Sequence, residues 1–351
     1  MPRTPNASRG SGTLARSPQI LSLAFIGLCL LPGRLCHSAT LLEDFSSDPA
    51  ARGWKSSGDA TLFHWNSANQ NVDVTWDSSR PNSFFSAPLG TVVTKADDFS
   101  LAFDLRLSDF TAGINPQKPN PFQLAVALVN LREATGTNFL RGTGADSPDL
   151  VEFSFFPDPG GAWVFGPSIT AVLVDSPGTN YFTDWSSGGF GGFSLTVNDL
   201  FHIELAYTAA DQTLRTTLTR NGQSFGSVGD AHLPAGFQNF HADHVAVCSY
   251  NDAGQDPDYS GSILAHGTAD NFTLNLPATP LTAITGGLTN QFWQSQFSSL
   301  TNWLYTLERT TNFQSWAAAS AATNGTGATV ILQDTNPPPD KAFYRVRADK
   351  P

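Results

Sequence analysis

The sequence predicts an all-β protein: a two-sheet antiparallel sandwich followed by a small β-sandwich-like module. Three observations predict it. From about residue 60 to 276 apolar and polar residues alternate with a period of two, and no 3.6-residue stripe persists. Only 14% of the 351 residues are charged, with five Glu and five Lys, too few for coiled coils or long surface helices. The 40% hydrophobic fraction supplies a core, and 30 Gly with 23 Pro supply turns.

The N-terminus reads as an export signal over residues 1–39. Arg3, Arg9 and Arg16 form a basic region, 20–31 is a largely apolar run, Pro32-Gly33 breaks it, and Ser38-Ala39 offers a small-residue cleavage site. That run is shorter than the about 20 residues that span a bilayer, so the expectation is a secreted or cell-surface chain without a transmembrane segment. Removing the leader takes four arginines and no acids from 19 basic and 30 acidic residues, leaving a net charge near −15. Such a surface repels nucleic acid. Of the three cysteines only Cys248 remains, on an apolar strand, and it is expected to be a buried, inert thiol.

The clearest strand has Phe99, Leu101, Phe103, Leu105 and Leu107 on one face, with Ser100, Asp104, Arg106 and Ser108 among the alternating residues. Comparable runs lie at 71–76, 122–130, 151–156, 169–174, 201–208, 214–220, 245–250 and 271–276. Asn221-Gly222 is a two-residue hairpin signal, because both positions accept positive φ. With Ala209-Ala210-Asp211 before it, 201–228 reads as a three-stranded meander. The Pro/Thr/Gly stretch 277–288 reads as a linker. Beyond it, 289–351 carries strands near 303–309, 329–333 and 342–347.

Residues 40–276 resemble a concanavalin A-like jelly-roll sandwich of the laminin G/pentraxin type. The likeness rests on Leu42-Glu43-Asp44-Phe45 opening the segment, Ala269-Asp270-Asn271-Phe272-Thr273-Leu274 closing it, and the meander between them. It implies that the first and last strands pair. It also implies a function among carbohydrate binding, often with calcium, and polysaccharide cleavage by glycoside hydrolases or lyases. The recognisable hydrolase motif, Glu-x-Asp-x-Glu, is absent, since no two glutamates lie closer than 19 residues. The Arg/Gln/His/Tyr motifs of the lyases are absent too. The tail, with Tyr305-Thr306-Leu307-Glu308-Arg309, Trp316 and Phe343-Tyr344-Arg345-Val346, resembles C-terminal β modules of exported bacterial proteins, which implies display or attachment.

Four groups of residues are candidates for chemistry. Asn251, Asp252, Asp256 and Asp258 supply oxygen atoms of the kind Ca²⁺ takes, the alternative being an Asx turn. Trp163, Phe165, Tyr181 and Trp185, in Gly-rich loops, offer flat faces to a poly- or oligosaccharide, the alternative being rings that plug the sandwich end. Glu152, Glu204 and His202 form a catalytic alternative, provided that their strands are neighbours in one sheet. His241-Ala242-Asp243-His244 is read as structural, because alternation turns His244 away from the other two and zinc would lack a third ligand. The expected function is carbohydrate recognition without catalysis. A polysaccharide-cleaving enzyme and a structural or adhesive surface protein that binds another protein are the alternatives. Nothing in the sequence sets the oligomeric state.

Overall fold

The computed structural model describes residues 39–136, 147–157, 167–178, 181–182, 194–227, 229–255 and 260–351. In chain order the first eight strands are β1 (Ala39–Glu43), β2 (Lys55–Ser57), β3 (Phe63–Asn66), β4 (Asn71–Asp77), β5 (Ser83–Val93), β6 (Phe99–Ala112), β7 (Leu124–Val129) and β8 (Leu150–Phe156). The next eight are β9 (Ser168–Val174), β10 (Tyr181–Phe182), β11 (Phe201–Thr208), β12 (Thr213–Arg220), β13 (Gln223–Ser227), β14 (Ala231–His232), β15 (Ala242–Ser249) and β16 (Ile263–Leu276). They form two antiparallel sheets. One has nine strands, in the order β13-β12-β11-β6-β16-β4-β3, with β1 on β16 and β14 on β12; the other has seven, in the order β10-β9-β8-β7-β15-β5-β2.

The all-β sandwich is therefore as predicted, and the first and last strands pair as the resemblance implies, Glu43 opposite Phe272 and Leu42 opposite Thr273. The 201–228 meander is β11-β12-β13, and Asn221 and Gly222 both take positive φ, 51° and 78°. In β6 the alternation places Phe99, Leu101, Phe103, Leu105 and Leu107 in the core.

Aromatic rings fill the space between the sheets. Phe103 of the nine-stranded sheet meets Phe153 of the seven-stranded sheet at 5.6 Å, and Trp54 stacks on Phe85 at 4.9 Å beside Phe272. Each such fully buried apolar side chain contributes about 1.5–3 kcal/mol relative to exposure. The start of the chain is pinned by a buried carboxylate. Glu43 accepts from Phe45 N–H, Trp54 Nε1–H and the Arg52 guanidinium.

The tail holds β17 (Leu281–Thr289), β18 (Phe292–Ser299), β19 (Leu304–Thr310), β20 (Ala317–Ala318), β21 (Thr323–Asn324), β22 (Thr329–Asp334) and β23 (Phe343–Asp349). Of the stretch read as a linker, Leu281 onward belongs to β17, paired to β18, so 277–280 is the unpaired connection. The reading as a linker fails because small polar residues and Gly pair through the backbone alone on an exposed edge strand. A second hydrophobic cluster around Phe297, Trp303, Tyr305, Leu307 and Leu332 supports this part, with Val92 of β5 packed against it.

Candidate functional site

In the seven-stranded sheet β7, β8 and β9 are buried on both faces. Register gives two rows across the face turned away from the other sheet, Ala246–Ala127–Glu152–Val172 and Cys248–Ala125–Ser154–Thr170. Glu152 is thus a carboxylate among small side chains, with no exposed surface. Gln123 Nε2–H donates to its Oε1 at 3.1 Å, the Ser154 hydroxyl to the same oxygen, and the Tyr250 phenol to Oε2. Burying a carboxylate is tolerated only when hydrogen bonds replace its water, so this cluster is a fixed part of the sheet. Cys248 beside it is fully buried, as expected.

The catalytic grouping drawn from the sequence does not form. Glu204 and His202 lie on β11 in the nine-stranded sheet, whereas Glu152 lies on β8 in the seven-stranded one. Sequence alternation marks which face a residue takes within its own sheet, and carries no information on which sheet its strand joins. His202 instead pairs with Asp104, Nδ1 to Oδ1 at 2.7 Å, on the neighbouring strand.

In the 251–259 loop, Asp256 and Asp258 lie outside the described residues. Asp252 Oδ1 faces Lys118 Nζ at 2.7 Å, and its Oδ2 accepts from the Ser78 hydroxyl at 3.0 Å. Asn251 Oδ1 accepts the Ala253 N–H at 2.6 Å, the Asx turn given above as the alternative to calcium. Among the described residues no three His, Cys, Asp or Glu side chains are arranged to hold a metal ion. Trp163, Phe165 and Trp185 also lie outside the described residues, as does the Tyr181 side chain. β8 and β15 end at the same end of the sheet.

At the opposite end of this sheet, His241 and Asp243, read above as structural, meet residues that no sequence signal singled out. A cleft of about 380 Å3 is lined by Asn130, Asp149, Ser176, His241 and Asp243 from the sandwich and by Ala348, Asp349 and Lys350 from the tail. Asn130 follows β7, Asp149 precedes β8, Ser176 follows β9 and His241 precedes β15, so antiparallel order delivers all four to one edge. Asp149 organises them. Its Oδ1 accepts the His241 backbone N–H at 2.7 Å and the Ser176 hydroxyl at 2.6 Å. Its own φ is +60°, a left-handed conformation that Asp tolerates better than most residues. Asn130 Nδ2–H donates to the His241 carbonyl at 3.2 Å.

The imidazole of His241 has Nδ1 2.9 Å from Ser176 Oγ, and Asn239 Nδ2 lies 3.3 Å from Nε2. Asp149 raises its pKa above the ordinary histidine value, burial opposes the rise, and the nearby charge of Lys350 opposes it too. Asp243 does not simply sit on a regular strand. Its Oδ1 accepts the Leu131 N–H at 3.0 Å and lies 2.7 Å from His244 Nδ1. The expectation that His244 points away from Asp243 is corrected by this contact between the two side chains. Lys350 is committed to Asp97.

Ser, His and Asp side chains meet here. Ser176 Oγ donates to Asp149 Oδ1 at 2.6 Å and lies 2.9 Å from His241 Nδ1. What the cleft gathers is carboxylate, amide and imidazole groups on a fixed frame.

No family model matches the chain, and no curated protein matches it. Solved structures similar to it include the Lotus tetragonolobus seed lectin, 10% identical, covering 69% of this chain and 100% of that one with a TM-score of 0.40. Peanut lectin, in a structure with a nine-residue peptide, is 11% identical, covering 67% and 98% with a TM-score of 0.39. The PL-14 alginate lyase from Aplysia kurodai is 10% identical, covering 68% and 98% with a TM-score of 0.41. All three likenesses are likenesses of fold alone. No described helix is long and apolar enough to cross a membrane.

Proposed function

We propose that this chain is an exported, non-catalytic carbohydrate-binding protein that takes its glycan in the cleft between the seven-stranded sheet and the tail. One observation carries the reading: acceptors and donors converge in an open cleft on a frame held by buried Asp149. Sugars present vicinal hydroxyls that both donate and accept, and a mixed set of this kind matches them better than a one-sign site. The leader-like N-terminus supports export, and the acidic balance disfavours nucleic acid as the ligand.

β8 and β15 end at the other end of the sheet, before Trp163, Phe165, Asp256 and Asp258 in sequence, and a calcium-dependent contact there belongs to the same proposal. The test is retention of the full chain on immobilised polysaccharides, first with calcium and then with EDTA, beside His241→Ala. Retention lost in His241→Ala supports the cleft, and release by EDTA supports the calcium loop. No retention on any polysaccharide overturns the reading in favour of a protein-binding surface role.

A further inference from the structure

On the tail, Phe313 is held with its side chain in solvent. Its φ is +60°, and its N–H is fixed by Thr310 Oγ1 at 3.0 Å; the next two amides, of Gln314 and Ser315, bond Asn312 Oδ1. A bulky residue in the left-handed region costs on the order of 1–3 kcal/mol and persists only where its surroundings impose it. The ring so presented is 60% exposed and contacts Phe343, 41% exposed, at 4.0 Å and Trp316 at 6.2 Å. Arg345 lies over the Trp316 ring at 4.2 Å.

The charges around this shelf cancel among themselves. Arg345 pairs with Glu308 at 2.8 Å, and Arg347 pairs with Glu308 at 2.6 Å and with Asp349 at 2.8 Å. Exposed Asn312, Gln314 and Ser315 border the rings. An aromatic surface without net charge and with an amide and hydroxyl rim complements a ligand that is itself uncharged, apolar on one face and hydroxylated at its edge. An anionic membrane surface matches it less well, since the chain carries net charge −11.

The shelf is also continuous with the cleft. β23 alternates strictly, placing Phe343, Arg345, Arg347 and Asp349 on one outward face, and Asp349 lines the cleft. Six strand steps separate its two ends, about 20 Å at 3.3 Å per residue.

We infer that Phe313, Trp316 and Phe343 form a stacking shelf for a neutral glycan chain that extends along β23 from the cleft, so that the ligand is a polymer rather than a single sugar. This rests on the cleft reading above.

The test is calorimetric titration of the full chain with neutral gluco-, xylo- and manno-oligosaccharides of increasing length, comparing wild type, Phe313→Ala, Trp316→Ala and His241→Ala. Melting curves confirm folding. The expected result is a Kd that tightens with length in wild type, with Phe313→Ala and Trp316→Ala each losing about tenfold of that gain. Wild-type length profiles in both shelf variants overturn the inference, as does partition to neutral phosphatidylcholine vesicles that Phe313→Ala abolishes while the length profile stays flat. A flat profile with disaccharide binding sensitive to His241→Ala overturns the shelf and leaves the cleft. A length-dependent gain insensitive to His241→Ala overturns the cleft and leaves the shelf. Absence of binding to every oligosaccharide overturns both.

Discussion

The carboxylate of Asp149 accepts the backbone N–H of His241 at 2.7 Å, across 92 residues of sequence. This one bond joins the start of β8 to the start of β15, strands separated in the sheet by β7. Because Asp149 is buried and holds two donors, Asp149→Ala leaves both unsatisfied, and a loss of about 2–3 kcal/mol is expected, read from denaturant unfolding. Asp149→Asn keeps an acceptor and tolerates the left-handed backbone. It removes only the charge, so in an NMR titration the His241 pKa falls toward its ordinary value.

The pH dependence of stability follows from the same pair. A histidine whose pKa is raised on folding stabilises the native state below its unfolded value, about 6.5, and loses that contribution as pH rises through the folded value. The melting temperature of wild type is therefore expected to exceed that of His241→Gln most in mildly acidic buffer, with the difference shrinking above neutrality. A gap that widens with pH would refute this.

Asp270 shifts in the same direction, and there the shift weakens the folded state above its titration window. Burial first, and then the charges of Asp104, Asp44 and Glu43, push its pKa up to about 6, although the Asn271 N–H resists. The folded state binds the extra proton between the unfolded value, about 4, and about 6, so stability falls as pH rises through that window. Asp270→Asn is expected to raise the melting temperature at pH 7 and to have no effect below about pH 4. Thermal melts of the two proteins across this range check it.

Removing the phenol from Glu152 takes away one donor to a fully buried carboxylate. Tyr250→Phe is expected to cost about 1–3 kcal/mol, or several degrees of melting temperature. Glu152→Gln retains volume and tests whether the charge is required. Since Glu204 and His202 stand in the other sheet, Glu204→Gln is expected to leave glycan retention at the wild-type level.

Much of the fold is legible in the sequence because strand alternation is a local signal. The core face of β6 and the Asn221-Gly222 hairpin are written in consecutive residues. β5 is harder to see, since Pro88 and Gly90 interrupt it and both of its faces are largely apolar. β17 is hidden for the opposite reason, as an exposed edge of small residues with no apolar face to mark it.

The site is less legible. Glu152 was expected outward with Glu204, and it is buried. His241 and Asp243 were read as structural, and they line the cleft. Strand alternation gives no sign that the side chains of Asp243 and His244 meet.

By itself the sequence determined the class of fold, the strands with one polar face, the tight turns and the acidic balance, all of which depend on composition or on residues within one strand length. Only the tertiary structure decided which sheet each strand joins, and hence that Glu152 and Glu204 are kept apart while Asn130, Asp149, Ser176 and His241 meet. The physical reason is that alternation specifies a face and not a partner. Pairing is chosen by the burial of the whole core, where Phe103, Phe153 and Phe272 pack from strands far apart in the chain.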